Sequence, residues 1–585
     1  MAYLPWRDIE LPEIDLVSLA FDSPYSWAND STILHVDAAD ETNYINKSQA
    51  RTIIKRLAYV LRHRYSVGKA ALYQDVVTCM ATNQILLPTV FFGIIAAGGV
   101  YSAASSSLTP FELSRQLRTS KSNLIIASKD TLEVALKSAK ECGIPLNRVL
   151  ILDSTNHQRG LRDTIQPERN YLKTTHELNW ARPTDPDTLD KKPICLMFSS
   201  GTTGPPKGVM LSHKNIIAQS LTWQATLRDS LNAVNPSKFG KDMKDFKYGI
   251  VAHLPAAHVA GSQGYFMNGT MAGGTTFWMN KFVLADFIHY TKKYRPTHML
   301  SVPSIYLQII NSPDVTDHFQ SLVHAQVGAA PMGPGLQKLG QEKIGCYLNQ
   351  SYGLTETSAS LTMTPWYQND TTGGIGALLP NSRLRIVNDN LEDVVEGQEG
   401  EFLVKGQIVT QGYYNNPEAT AATFTPDGWL RTGDIGLRRN GLFYIVDRKK
   451  VRYRPTRSTG VKANNTSQEL IKYKGLQIAP AELEAYLLSH ESILDAAVIG
   501  VEDPKVEKNE VPRAYIVRKR DEKSCLITEQ EVKDYVKKNL AAHKQLRGGV
   551  IFVDDIPKSS SGKILRRELR EHAKREKSQG KLSKL

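Results

Sequence analysis

The sequence predicts an α/β protein: a large N-terminal body of stacked α/β layers with a β subdomain, followed by a smaller, mobile α+β C-terminal domain. Three observations carry that prediction. Before Gly374, short apolar strands alternate with helices that have one apolar face, which implies parallel layers. From Gly374 the texture shifts to short alternating segments at 384–387, 400–405 and 442–446, divided by Gly, Asn and Asp, as in an antiparallel sheet. The chain's 585 residues exceed what one hydrophobic core organises, and the last stretch has its own mix of strands and helices.

Taken in order, residues 48–64 place Ile53, Ile54, Leu57, Ala58 and Leu61 on one helical face. Residues 75–80 read as a strand and 85–99 as a helix, then 124–127 and 149–152 as strands around a helix at 131–142. Residues 153–193 are polar, carry little periodicity and read as a connector. A buried strand at 194–198 leads into a polar run, then a helix at 214–227 and a basic surface loop at 228–247. The strand 248–254 ends at Pro255-Ala-Ala-His258, and a helix at 282–294 precedes a strand at 298–302. Segment 325–327 reaches Gly328-Ala-Ala-Pro331, and 345–349 reaches Gln350-Ser-Tyr-Gly-Leu-Thr-Glu356. Polar clusters thus recur just past apolar strands, where open α/β sheets collect ligands. In the last domain, 480–490 and 529–539 read as helices, and 493–501 and 513–517 as strands.

The net charge of +13 would suit a nucleic-acid binder, but its location argues otherwise. Residues 451–468 carry Arg452, Arg454, Arg457 and Lys462 with no acid, and 566–584 hold eight basic and three acidic residues. The body is close to neutral and has no basic stripe interleaved with aromatics, so nucleic acid is excluded as a partner. The five cysteines lie far apart without metal or redox spacing and read as buried thiols of a reducing compartment. Residues 1–10 hold Arg7, Asp8 and Glu10 and lack the apolar core of a secretory signal. The apolar run 85–100, broken by Pro88 and three glycines, is too short to span a bilayer and reads as a core helix. The final Ser583-Lys584-Leu585 matches the peroxisomal address on a flexible basic tail, which predicts the peroxisomal matrix and an import receptor as partner.

The chemistry-bearing stretch is Ser199-Ser200-Gly201-Thr202-Thr203-Gly-Pro-Pro-Lys207-Gly208. Glycines let backbone N–H groups turn inward, hydroxyls add donors and Lys207 adds charge, an inventory suited to a polyphosphate. It is not a Walker A loop, because Gly208 rather than Ser or Thr follows the lysine. Alone it reads as a polar surface turn. Further along stand Tyr352 and Glu356, Arg431-Thr-Gly-Asp434, Asp447-Arg448, and Pro557-Lys-Ser-Ser-Ser-Gly-Lys563. Singly, Glu356 and Asp434 read as solvated acids, Lys563 as a surface lysine and His258 as a packed core histidine.

In this order the motifs resemble those of the AMP-forming adenylating enzymes, the superfamily of acyl-CoA ligases, beetle luciferases and peptide-synthetase adenylation domains. The resemblance covers nearly the whole chain. It is most similar to 4-coumarate–CoA ligases and luciferases at Gly428-Trp-Leu-Arg-Thr-Gly-Asp434, Ile445-Val-Asp-Arg448, Glu469-Leu-Ile-Lys-Tyr-Lys-Gly475 and Ala479-Pro-Ala-Glu-Leu-Glu484. The resemblance implies that a carboxylate and ATP give acyl-AMP and pyrophosphate, after which CoA displaces AMP. It implies that Ser199, Ser200, Gly201, Thr202, Thr203 and Lys207 hold the β- and γ-phosphates. Gln350, Ser351 and Tyr352 would lie along the nucleotide, with Tyr352 stacked on adenine. Thr355 would touch the α-phosphate, Glu356 would hold Mg2+, Asp434 would accept from the ribose with Arg448 assisting, and Lys563 would stabilise the pentavalent phosphorus. His258 would lie beside an acyl pocket formed with Ala329, Ala330, Gln350 and Gly353. Lys472 would serve near AMP, Lys281, Lys474 and Gly475 near CoA, and Lys449 as the pivot of a domain rotation. The division that follows is a body at 1–447, a hinge at 448–450, a mobile domain at 469–565 and a basic tail at 566–585.

One departure stands out. The family pattern Asp-Arg-x-Lys-x-Leu-Ile-Lys is interrupted between Lys450 and Glu469 by residues 451–468, an expected disordered insertion. These 18 residues are in frame, every Val codon begins GT, Gln468 can be CAG, and Ala463-Asn464 can encode a branch-like GCTAAC, so the segment reads as a retained intron, with a genuine surface loop as the alternative. A CAA codon at Gln468 would exclude the intron. The expected function is an ATP-dependent acyl-CoA ligase for an aryl, medium-chain or hydroxy acid in secondary metabolism, with ATP, Mg2+ and CoA as its small molecules. The alternatives are a luciferase-like oxygenase, a stand-alone unit loading a carrier protein, and a non-catalytic relative. Oligomeric state and the particular acid are not legible.

Overall fold

A computed structural model describes residues 2–199, 206–233, 246–329, 332–448, 471–474, 476–478, 480–503, 506, 509–519, 527–557, 564 and 566–582. The body is built on a seven-stranded sheet. Its central strands Val149–Asp153, Leu124–Ser128, Val76–Met80, Val100–Ala104 and Pro193–Ser199 are parallel, and Gly160–Asp163 and Lys207–Ser212 add antiparallel edges. Val76–Met80, Val100–Ala104 and Leu124–Ser128 are buried along their whole length. That explains why they read as continuous apolar runs rather than alternating ones. Helix Lys47–Arg64 starts where Asn46 and Gln49 cap one another, and lays Ile54, Leu57 and Leu61 in the core against helix Leu87–Ala96.

A second sheet runs Gly249–Ala252, Thr275–Trp278, Ile33–Asp37 and Asp40–Asn46. A third carries the parallel strands His298–Ser301, His324–Val327 and Tyr347–Leu354, then antiparallel Ala359–Met363 and Ala377–Leu378. The expected β subdomain is present as an antiparallel sheet of Ser382–Val387, Gly400–Gly406, Leu430–Arg439 and Leu442–Arg448. The C-terminal domain packs helices Pro480–Leu487 and Glu529–Asn539 on a sheet of Ile493–Glu502, Glu510–Arg518 and Val550–Phe552. No helix among the described residues is long and apolar enough to cross a membrane.

Two expectations are corrected. Residues 153–193 are not a bare connector, since they supply the edge strand Gly160–Asp163 and bury Tyr171 and Trp180. The basic stretch from 566 is not a flexible tail, because Arg566–Leu582 is a helix. Its Arg566 guanidinium lies 2.6 Å from the Glu484 carboxylate, both groups being buried, and Leu569 packs with Ala497, Ile499 and Tyr515. Its positive charges mislead because only one face of the helix is solvated.

The C-terminal domain docks on helix Pro110–Ser120 of the body. Lys544 Nζ lies 2.6 Å from Glu112 and 3.2 Å from Glu482, and Arg115 reaches Glu482 at 2.7 Å. The Phe111 and Tyr486 rings meet edge to face beside them.

Candidate active site

The strand Pro193–Ser199 turns back as Lys207–Ser212, with Ser199 paired opposite Lys207. The polar run therefore joins two strands whose ends face one another. Residues Ser200, Gly201, Thr202 and Thr203 lie outside the described residues.

Strand Tyr347–Leu354 enters the same region and ends in the turn Thr355–Thr357, which carries Glu356. The turn is tight because Gly353 runs against the returning strand, where a Cβ would stand 1.6 Å from the Ala359 carbonyl. Ser358 and Ala359 hold positive φ to complete the reversal. The Ser199 hydroxyl donates to Glu356 Oε1 at 3.1 Å, and the Tyr413 hydroxyl donates to the same oxygen at 2.9 Å. Lys207 Nζ stands 5.1 Å from the centre of the Tyr413 ring. Burial lowers the Lys207 pKa, and Glu356 pulls it back up. Burial, followed by the Glu356 charge, raises the Tyr413 phenol.

Tyr413 was not legible as a site residue. Its only signal is an aromatic pair after Gly412. Its position follows from tertiary pairing, as segment 410–414 lies along Lys207–Ser212 through Tyr414 N to Gly208 O at 2.8 Å and Met210 N to Gly412 O at 2.9 Å.

Asp434 and Arg448 are cross-strand partners in the β subdomain sheet. Asp434 is buried and accepts the Tyr352 hydroxyl at 2.6 Å, so neither Asp434 nor Glu356 is the solvated surface acid that each resembled in isolation. The Arg448 side chain lies outside the described residues, as do the Lys472 side chain and all of Ala330, Lys449, Gly475, Lys563, Ser583, Lys584 and Leu585, with the insertion 451–468.

Gln350 lines the cavity, and its side chain is also engaged within the protein. Its amide donates to Met332 O at 2.9 Å and to Gln337 at 3.1 Å, and its oxygen accepts from Met332 N at 3.0 Å. The side chain therefore fixes the loop that carries Gly328 and Ala329. Ala329 sits at φ +65°, and the Ser351 hydroxyl points back to Val327 O at 3.4 Å.

His258 caps the short helix Val259–Ser262. It is not a packed core histidine. Its ring is exposed to an internal cavity yet lies deep within the protein, and this desolvated setting lowers its pKa, keeping the imidazole neutral. His324, by contrast, is packed away from the cavity, and both it and the buried His298 stack on Trp366.

The cavity has a volume of about 2300 Å³ and receives Lys207, Glu356, Thr355, Tyr352, Asp434 and His258 in one space. The C-terminal domain closes part of it with Lys474 and His543. Lys474 holds φ +48°, with its N–H on Asn509 Oδ1 at 2.7 Å. Lys281 stands at the wall, largely exposed, with Nζ 4.0 Å from Asp130. The nucleotide-side and CoA-side candidates thus share a single chamber.

Residues 27–414 match the AMP-binding enzyme family, and residues 482–563 match the AMP-binding enzyme C-terminal domain. The chain belongs to the AMP-binding enzymes. An Emericella nidulans protein provisionally named an acyl-coenzyme A synthetase is 50% identical over 574 residues, covering 98% of each chain. The 4-coumarate–CoA ligase 3 of Oryza sativa is 34% identical over 532 residues, 89% of this chain and 86% of that one. Among solved structures, the o-succinylbenzoate CoA synthetase of Bacillus subtilis superposes with a TM-score of 0.73 at 23% identity, over 96% of this chain and 98% of that one, a likeness of fold. This AMP-binding enzyme is an AMP-forming acyl-CoA ligase that uses ATP and CoA.

Proposed function

We propose that the protein activates an aryl, medium-chain or hydroxy carboxylic acid as its acyl-AMP and then transfers the acyl group to CoA within one chamber. The observation that carries this reading is the junction at Glu356, where the two strand ends of the polar run and Tyr413 meet a carboxylate in the cavity that also holds Asp434 and His258.

In the first step a carboxylate oxygen attacks the α-phosphorus of ATP and pyrophosphate leaves. The barrier is charge repulsion and misalignment, so positioning and charge neutralisation supply the catalysis. Lys207 and the loop residues 200–203 hold the β- and γ-phosphates, Thr355 holds the α-phosphate, and Asp434 with Arg448 fixes the ribose. Gln350 acts at one remove, by holding the Gly328–Ala329 loop. Glu356 and Thr355 offer oxygen ligands that suit Mg2+, which needs one or two carboxylates when the substrate's phosphates supply the rest. Bound there, Mg2+ would neutralise phosphate charge. Lys563 stabilises the pentavalent phosphorus.

In the second step the CoA thiol loses its proton to solvent, its sulfur attacks the acyl carbonyl, and AMP leaves with the electrons of the broken C–O bond. The neutral His258 imidazole can hydrogen-bond the acid at the cavity wall. Lys472, Lys474, Gly475 and Lys281 serve the AMP and CoA side, with Lys449 as the pivot between the two steps. Ser583-Lys584-Leu585 would direct the enzyme to the peroxisomal matrix through an import receptor.

The test is a screen of cinnamic, phenylacetic, fatty and hydroxy acids with ATP and CoA, following pyrophosphate and the thioester. Lys563→Ala should abolish pyrophosphate release while ATP binding persists. Unchanged release would overturn the mechanism, and pyrophosphate release without thioester would overturn the transfer to CoA.

A further inference from the structure

Segment 407–414 reaches both halves of the nucleotide side. Toward the polar run, Met210 N donates to Gly412 O at 2.9 Å and Tyr414 N to Gly208 O at 2.8 Å. On the same side the Asn215 amide donates to Gln407 O at 2.7 Å and to Val409 O at 2.9 Å. Toward the acidic turn, Thr410 N donates to Glu356 O at 2.9 Å, and the Ser358 hydroxyl to Ile408 O at 2.7 Å. One stretch of backbone therefore fixes the strand that begins at Lys207 against the turn that carries Glu356. The stretch is itself held by helix Pro417–Thr423, where Tyr413 N donates to Thr420 Oγ1 at 2.9 Å and Thr423 lies beside the Tyr413 phenol.

Tyr413 is 9% exposed and is the side chain of this segment that touches both charged groups. Its two contacts differ in kind. The phenol donates to Glu356 Oε1 at 2.9 Å, the oxygen that also accepts the Ser199 hydroxyl at 3.1 Å. Glu356 Oε2 receives no hydrogen bond among the described residues. With both donors on one oxygen, the planar carboxylate cannot turn without losing them, and the other oxygen keeps its lone pairs for a ligand. The ring, meanwhile, lies 5.1 Å from Lys207 Nζ, within the range at which an aromatic face attracts an ammonium. Tyr413, Lys207 and Glu356 all line the chamber.

We propose that Tyr413 is a positioning residue for the first step: its phenol reserves Glu356 Oε2 for a divalent cation, and its ring holds the Lys207 ammonium where the phosphates arrive. The inference rests on the acyl-CoA ligase reading, in which Glu356 holds Mg2+ and Lys207 the β- and γ-phosphates. Tyr413 need not touch substrate, since it acts through these two residues. Groups that hydrogen-bond a metal-ligating carboxylate fix its orientation, and their loss weakens the metal rather than the ligand beside it. The phenol's contribution is therefore tied to the cation, and the ring's is not.

The experiment is calorimetry of ATP binding to the full-length protein, once with excess Mg2+ and once in EDTA. Mg2+ should tighten ATP binding to the unaltered protein. Tyr413→Phe keeps the ring, so it should cut that gain about tenfold or more and leave the affinity in EDTA unchanged. Tyr413→Leu should also weaken binding in EDTA, by about two- to fivefold. Glu356→Gln should abolish the gain, and Tyr413→Phe added to it should have no further effect on the gain, because the two changes act on one interaction. A full Mg2+ gain in Tyr413→Phe, or an equal loss with Mg2+ and with EDTA, would overturn the phenol's role while leaving Glu356 as the cation's ligand. An affinity in EDTA unchanged by Tyr413→Leu would overturn the ring's role. A full gain in Glu356→Gln would overturn the reading of Glu356 as the ligand, and the proposal with it.

Discussion

At the scale of single residues, Glu356 links Ser199, Tyr413 and Lys207. It accepts two hydroxyls and raises the affinity of Lys207 for its proton against the effect of burial. Glu356→Gln should therefore lower the Lys207 pKa further below its ordinary value of 10.5. The sign follows because the glutamate charge favours the ammonium form. The alkaline loss of ATP affinity, measured by titration between pH 7 and 10, should begin at lower pH in the variant. An unshifted profile would show that Lys207 does not contribute to binding phosphate. Gly353→Ala tests the backbone beneath. Its methyl cannot occupy a space 1.6 Å from a carbonyl, so the turn carrying Glu356 must shift, and chemical denaturation should show a loss of about 1–3 kcal/mol.

Among elements, the contact between helix Pro110–Ser120 and the C-terminal domain is an ion cluster with little access to water. The Lys544, Glu112 and Glu482 side chains are 7%, 1% and 1% exposed. Removing one member leaves buried charge uncompensated, so Lys544→Met should cost about 3–5 kcal/mol, seen as earlier urea unfolding and as faster proteolysis between the domains. Burial raises the Glu482 pKa, but Lys544 and Arg115 together outweigh it and hold the group below its ordinary 4.5. The cluster's stabilisation is thus complete above that value and fades as pH falls through the depressed folded pKa. In Lys544→Met the acid loss should move to higher pH. The helix Arg566–Leu582 makes a similar case. Ending the chain at residue 565 strips Arg566 from the buried Glu484 and should destabilise the C-terminal domain by about 3 kcal/mol or more.

For the whole molecule, removing only Ser583-Lys584-Leu585 should leave stability unchanged while a fluorescent fusion shifts from peroxisomes to the cytosol; retained punctate fluorescence would refute the peroxisomal assignment. The contrast with truncation at 565 shows how much of the chain could be read beforehand. The parallel strands and the β subdomain were legible because burial on two faces or one imposes distinct periodicities on neighbouring residues. Glu356, Asp434 and Tyr352 were singled out only through motifs that resemble the family's, since on its own each acid reads as solvated. Tyr413 was not singled out, because segments remote in sequence assemble its surroundings and no local spacing records that. His258 could not be assigned from its own neighbours, since a cavity wall and a packed core demand the same small residues beside it. The helix from Arg566 was obscured because its composition reports the wet face and its few anchors, Arg566 and Leu569, are diluted by charge.

The two hydroxyls on Glu356 and the phenol on Asp434 have one more consequence. Both carboxylates are engaged with the protein's own side chains. Hydroxyls from three separate segments thus hold the two acids in register, so any group that engages these carboxylates must share or displace hydrogen bonds the fold has already made.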